Sequence, residues 1–217
     1  QHQGDAHRCR DACTHAHGAR IPAVGVVSSQ CVAEKKERPG QRHQPGCWAG
    51  VHVHPRVVGP QILRANTKEL QREAFRAHIA LAKELNLPMQ IHDRDSHKEV
   101  IETLLADGAP ERTVFHSYSG DAEMGEIARE NGWYLSLSGT SSYKGNDGIR
   151  ESARIVGLSH VMVETHAPYL SPMPYRGRTN APYMIPYTLQ SLANYLDKPL
   201  TEVAQATRKT TREVYGI

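Results

Sequence analysis

Thirteen histidines in 217 residues are the most chemically loaded feature of this sequence, and two of them stand where a ligand would stand. His92 closes the apolar run Pro88-Met89-Gln90-Ile91, and His116 closes the run Arg112-Thr113-Val114-Phe115. An imidazole after apolar strand residues projects from the strand's end, and neutral imidazole ligates zinc, manganese or iron and tolerates carboxylate co-ligands. A third polar group, Glu164-Thr165-His166, follows Val161-Met162-Val163. Two imidazoles from separate strands and a third donor from this stretch suffice for one divalent cation, which would acidify a bound water and polarise a phosphoryl or carbonyl oxygen. A lone strand-end histidine is more often a hydrogen-bonded structural residue. Three polar strand ends in succession shift the balance towards ligands for His92 and His116. His97 and His160 read as surface or helix-cap residues and His78 as a helix flank. Asp93 and Asp95 read as hydrogen-bond partners of the site or caps of the following helix, with capping assigned to Asp95.

The elements that must position these residues are legible from Thr67 onward. In "TKELQREAFRAHIALAKELNLP", Leu70, Ala74, Ala77, Leu81 and Leu85 recur at helical spacing, and Pro88 stops the helix. "PMQIH" and "RTVFH" read as strands. "SHKEVIETLLADG" reads as a helix closed by a left-handed cap at Gly108, and "DAEMGEIARENG" as a helix with Asp121 at its N-cap. "WYLSLSG" and "HVMVET" are strands, and "DGIRESARIVG" is a helix. "APYMIPYTLQSLANYLD" and "TEVAQATRKTTREVYG" close the chain as helices, the second capped by Thr201. Four strand–helix units with short connections imply parallel strands and crossover helices, hence an α/β sheet or a barrel. In such folds the βα loops converge on the C-terminal edge, where the polar residues named above fall, with Ser138, Gly139 and Lys144 among them.

Upstream the sequence has a different character. Residues 1–66 form an irregular or degraded segment, residues 67–217 the regular one, and together they make a single domain. Seven of the histidines lie in the first sixty residues, amid Arg, Gln, Gly and Pro without a sustained period. Only Ile21–Val27 and Trp48–Val53 could supply short strands there. The same sixty residues hold eight Lys/Arg against four Asp/Glu, so they carry the basic balance of a chain whose net charge is +3. They lack the dense basic run of a nucleic-acid arm. Cys9, Cys13, Cys31 and Cys47 also lie in the first quarter, and Cys9 and Cys13 with His15 and His17 make only half of a zinc motif. No run approaches the roughly 18 apolar residues of a membrane span. A basic start with an apolar stretch behind it is also absent, so the expectation is a cytoplasmic location.

Four stretches carry a family signature: "LAKELNLPMQIHDRDSHKEV", "VFHSYSGDAEM", "GWYLSLSGTSSYK" and "VETHAPYLSPMPYRGRTNAPY". Together and in this order they closely resemble the TatD-like deoxyribonucleases, metal-dependent hydrolases of the amidohydrolase type, from about Lys68 to Ile217. The resemblance implies a (β/α)8 TIM barrel, incomplete or irregular in its N-terminal third. It also implies one or two divalent metal ions (Mg, Mn or Zn) and hydrolysis of phosphodiester bonds, with DNA as substrate. His92 and His116 match the family's two later histidine ligands. Pro174–Gly177 and Asn180 match a loop at the mouth of the site, where Arg176, with Lys144 nearby, would meet a phosphate; pairing of Arg176 with a surface carboxylate is the competing role.

Two departures from the family pattern matter. Where the family has Glu-Thr-Asp-Ala-Pro-Tyr-Leu, with the aspartate as metal ligand and proton acceptor, this chain has His166. An imidazole ligates through one nitrogen but brings no negative charge and no second oxygen. The family's opening His-x-His is matched at most by His15 and His17, and its bridging glutamate has no counterpart, since no acidic residue occurs between Glu37 and Glu69. A shifted reading frame or a deletion upstream of Thr67 would account for both. Three readings follow: a DNA phosphodiesterase impaired at His166, an inactive barrel that binds metal or nucleic acid, and a related amidohydrolase acting on an ester, amide or lactone.

Overall fold

The structure, a computed structural model, describes residues 51–53, 67–93 and 96–217. Its strands are β1 (Val51–Val53), β2 (Met89–His92), β3 (Thr113–His116), β4 (Tyr134–Leu137) and β5 (Val161–Val163). Its helices are α1 (Thr67–Glu84), α2 (His97–Asp107), α3 (Ala122–Glu130), α4 (Asp147–Val156), α5 (Ile185–Leu196) and α6 (Leu200–Tyr215). Every strand pairs in parallel with the next in sequence, in the order β1-β2-β3-β4-β5. A doubly wound sheet reverses its strand order part-way; this one does not. Consecutive right-handed crossovers in one direction place the helices on one face, and the result is an arc of barrel wall. The arc does not close into a full barrel among the described residues. The sequence's four strands are present, and Val51–Val53 adds a fifth from the Trp48–Val53 stretch.

Strand residues alternate between two faces. Met89, Ile91, Phe115, Leu135, Leu137 and Val161 are buried in one cluster with α1 to α6, through residues such as Phe75, Ile79, Leu104, Ile149, Leu192 and Val203. On the other face Val114 and Met162 pack with Val214 of α6, flanked by Tyr134 and Tyr215. Arg112, at the foot of β3, donates to the Val214 carbonyl at 3.2 Å. The end of α6 therefore lies by the N-terminal ends of the strands, opposite the edge that carries the histidines.

Local chemistry sets the joints. The Asp121 carboxylate accepts the Met124 amide at 3.1 Å and caps α3, as the sequence indicates. Gly108 does follow α2 at positive φ, but its ψ of 111° lies outside the left-handed helical cap expected there. Thr201 is not the cap of α6: the helix begins one residue earlier, at Leu200, with Pro199 in the cap position, its backbone extended at φ −56° and ψ 135°. His78 is buried rather than on a flank, its Nδ1 2.6 Å from the Ala74 carbonyl.

Candidate metal centre

The period of two that buries the outer face also builds the site. Gln90 pairs in register with Val114, and His92 with His116, while Ser136 pairs with Met162. One residue beyond β5 the Glu164 amide bonds to the Leu137 carbonyl at 2.9 Å and extends the ladder. His92, His116, Ser136 and Glu164 therefore share the inner face at the C-terminal edge. His166 joins them from a turn in which its own φ is +59°. Asn, Asp and His are the non-glycine residues that enter this left-handed region most readily, so the turn tolerates either the family's aspartate or this histidine.

The three rings form a triangle. Centroids are 5.6 Å apart for His92 and His116, 5.9 Å for His92 and His166, and 5.1 Å for His116 and His166, the last pair stacked at 17°. Glu164 divides its two oxygens. Oε2 accepts from Ser136 Oγ at 2.5 Å and lies 2.7 Å from His116 Nδ1. Oε1 is buried without a hydrogen-bond partner and faces His166 Nδ1, equally buried and equally unpartnered, across 3.7 Å. Ligand atoms of His116, Glu164 and His166 lie within 4.8 Å of one another. Burial alone would raise the Glu164 carboxyl; the charge and hydrogen bond of His116, aided by His166 and Ser136, outweigh it and hold the group at about 2.

Buried polar atoms are normally satisfied, and an orphaned pair facing each other calls for a partner. A cation bound by imidazole nitrogen and carboxylate oxygen sits about 2.0–2.2 Å from each, so a small inward shift closes a gap of this size. The His116–Glu164 contact is also the arrangement in which a carboxylate fixes the ring of a ligating histidine, leaving its second nitrogen for metal. The donor set fits a divalent cation.

Other sequence-derived assignments fall unevenly. The Asp93 carboxylate accepts Ser96 Oγ at 2.8 Å and the Ser96 amide at 3.3 Å, so it braces the residue at the cap position of α2 without itself capping a helix amide. It also meets His97 Nδ1 at 2.5 Å, so His97, read as a surface or helix-cap residue, is the half-buried first residue of α2 and bonded to Asp93. His160 stacks on Tyr134 at 5.0 Å between centroids. Arg176 lies over the Tyr143 ring, 4.4 Å from its centroid, and Lys144 is exposed beside Tyr143. No hydrogen bond or ion pair among the described residues joins either cation to the histidine cluster. His15, His17, the four cysteines and Asp95 lie outside the described residues. Glu164 was read only as part of the stretch that supplies a third donor, and Ser136 was missed, although strand alternation counted from His92 and His116 puts both on that face.

The loop after β5 is held by its own bonds. Buried Asn180 donates from Nδ2 to the carbonyls of Thr165 (2.5 Å) and Tyr169 (2.7 Å), and Tyr143 donates to Ser171 O at 2.8 Å. Gly139 sits so close to the loop that a Cβ there would lie 2.1 Å from the Leu170 carbonyl.

A family model of TatD related DNases matches residues 58–216. The chain belongs to that family. It is 42% identical over 148 residues to the uncharacterized metal-dependent hydrolase TatD of Mycobacterium tuberculosis, covering 68% of this chain and 56% of that one. A relative from Escherichia fergusonii named 3'-5' ssDNA/RNA exonuclease TatD is 25% identical, and the match covers 95% of this chain and 92% of the relative. Among solved structures, the TatD homologue YJJV of Escherichia coli superimposes with a TM-score of 0.65 at 24% identity, over 72% of this chain and 61% of that one. That likeness supports the TIM-barrel assignment of the arc. The chain spans a little under three fifths of the length of the mycobacterial relative.

Proposed function

We propose that His92, His116 and His166, with Glu164, hold a divalent cation, and that the chain is a metal-dependent hydrolase of phosphodiester bonds in DNA. The observation that carries this reading is the facing pair of buried, unpartnered atoms, Glu164 Oε1 and His166 Nδ1. A cation there would supply an acidified water and charge stabilisation at a phosphoryl oxygen. Ser136 and His116 orient the Glu164 carboxylate through one oxygen and leave the other for metal or for a proton. Glu164 matches the glutamate of the family's Glu-Thr-Asp stretch, so with His166 in place of the aspartate the site holds one negative charge fewer. Three imidazoles and one carboxylate favour zinc over the harder magnesium.

The second reading, a barrel that binds metal or nucleic acid without turnover, is favoured by His166 itself and by the acid-free interval between Glu37 and Glu69. One experiment separates them: metal analysis of the purified chain, then hydrolysis of a DNA oligonucleotide and of an ester panel with Zn2+, Mn2+ or Mg2+. The chain as it stands should carry about one zinc and cleave the oligonucleotide slowly. His166→Asp should raise turnover and shift the preference towards Mn2+ or Mg2+. Absence of bound metal in both proteins would remove the hydrolase reading. Metal without cleavage in either would establish the binding-only one.

A further inference from the structure

Bracing Ser96 occupies only one oxygen of Asp93. Its side chain is 3% exposed, and while Oδ1 accepts from Ser96, Oδ2 lies 2.5 Å from His97 Nδ1. A carboxylate only accepts, so Nδ1 carries the proton of that bond and the ring exchanges protons through Nε2. A buried carboxylate on one nitrogen of an imidazole fixes the tautomer and stabilises the imidazolium. The His97 side chain is 35% exposed, which leaves a path for protons from solvent. The pair stands next to the metal centre. His97 and His116 line one cleft at the C-terminal edge of the sheet, together with Ser119, whose Oγ donates to the Asp93 carbonyl at 3.2 Å.

The donor set gives such a group a task. Where two cations act on a phosphodiester, one serves the attacking oxygen and the other the leaving oxygen. Here a single carboxylate, Glu164, stands among three imidazoles, a set suited to one cation. The leaving oxygen of a nucleoside is a strongly basic alkoxide and needs a proton as its bond breaks. We propose that His97, held by Asp93, is the general acid that protonates this leaving oxygen. The oxygen of the attacking water bonds to phosphorus and its proton passes to solvent. The bond from phosphorus to the leaving oxygen breaks, and that oxygen takes the Nε2 proton of His97, which solvent restores. Asp93 is the positioning residue of the pair. The inference rests on the phosphodiester reading above and adds to it the group that serves the leaving oxygen.

The test compares two substrates that differ in leaving group, a thymidine dinucleotide and thymidine p-nitrophenyl phosphate, on the full chain with its bound metal quantified. Nitrophenolate departs without a proton; a nucleoside alkoxide does not. His97→Gln should lower kcat on the dinucleotide by about 100-fold or more, with KM little changed, and its loss on the nitrophenyl ester should be at least about tenfold smaller. Asp93→Asn, compared at equal metal occupancy, should show the same bias. Ser96 keeps the amide oxygen there and turns the NH2 towards the ring, which forces the proton onto Nε2. Nitrogen NMR of the metal-free chain reads that directly, without turnover: His97 should be protonated at Nδ1 in the wild type and, when neutral, at Nε2 in Asp93→Asn. Equal losses on the two substrates would give His97 a structural role and overturn the proposal, as would a wild-type Nδ1 without a proton. If neither the wild type nor His166→Asp cleaves either substrate at full metal occupancy, the hydrolase reading falls and this one with it. Cleavage with equal losses removes this one alone.

Discussion

The two faces of the strands β2 to β5 differ by one residue step and do different work. Towards the helices, Met89, Ile91, Phe115, Leu135, Leu137 and Val161 are each at most 2% exposed and belong to one apolar cluster. On the inner face β3 and β5 begin apolar, with Val114 and Met162, and the strands end polar, with His92, His116, Ser136 and Glu164. Among the described residues, the buried side-chain atoms that lack a hydrogen-bond partner are two at the inner edge, Glu164 Oε1 and His166 Nδ1. Stability and chemistry are therefore separated along the pleat, not along the chain, and that separation can be tested residue by residue.

The largest contrast is between neighbours. Phe115 packs edge-on against Tyr118 and at 5.6 Å from Trp133, 2% exposed. Phe115→Ala should cost about 3–5 kcal/mol, a large part of the stability of a domain this size, measured by urea unfolding. Glu164→Gln should do the opposite. Gln keeps an acceptor for Ser136 and for His116 and loses only the charge, so near pH 7 the cost should be smaller, about 1–3 kcal/mol. Metal retention should be lost, read by chelator competition. If Glu164→Gln unfolds the chain, the inner face is structural and the comparison fails.

A smaller effect separates the faces by pH. The folded-state Glu164 carboxyl lies at about 2, below its ordinary 4.5. The stabilisation this represents is complete above about 4.5 and is lost as pH falls from there towards 2, on the order of 3 kcal/mol. Metal-free wild-type protein should thus lose stability over that window faster than Glu164→Gln, with urea midpoints as the measure. Parallel curves for the two proteins would mean that the carboxylate and His116 are not paired in solution.

Much of this was legible in the sequence because period and punctuation survive burial. The runs ending at His92 and His116 are short and apolar, and the strands fall where those runs do. Asp121 caps its helix because an acceptor precedes a helical run. What escaped was what depends on neighbours distant in sequence. Glu164 closes a strand as visibly as His116 does, but its role depends on Ser136 and His116, 28 and 48 residues upstream. His97, read as a surface or helix-cap residue, is bonded to Asp93 only four residues before it. Thr201 was a plausible cap by residue type, but it lies inside the helix, which follows directly on the extended Pro199.

Gly139 ties the loop that carries His166 to the end of β4. A Cβ there would fall 2.1 Å from the Leu170 carbonyl and 2.6 Å from the Pro172 nitrogen, backbone atoms that cannot swing aside. Gly139→Ala should cost roughly 1–3 kcal/mol by overpacking. Unlike an outer-face change of equal cost, it should also weaken metal retention, because the loop that moves is the one holding His166. Loss of stability with metal affinity unchanged would show that His166 is placed independently of that joint.

The smallest effect tests the comparison from the other side. Asp121 caps α3 on the helical layer, away from the histidines, through its bond to the Met124 amide. Asp121→Ala should cost about 1 kcal/mol, the usual loss for an N-cap, because water can only partly replace the acceptor. Its backbone carbonyl, which accepts Tyr118 Oη at 3.0 Å, survives the change, so the local packing of Tyr118 should hold. Metal affinity should therefore stay within about twofold of wild type, against a larger fall for Asp93→Ala. Asp93 braces Ser96 at the entry to α2, directly follows His92 and also fixes His97. Equal metal losses in the two variants would mean that the outer layer sets the site geometry after all.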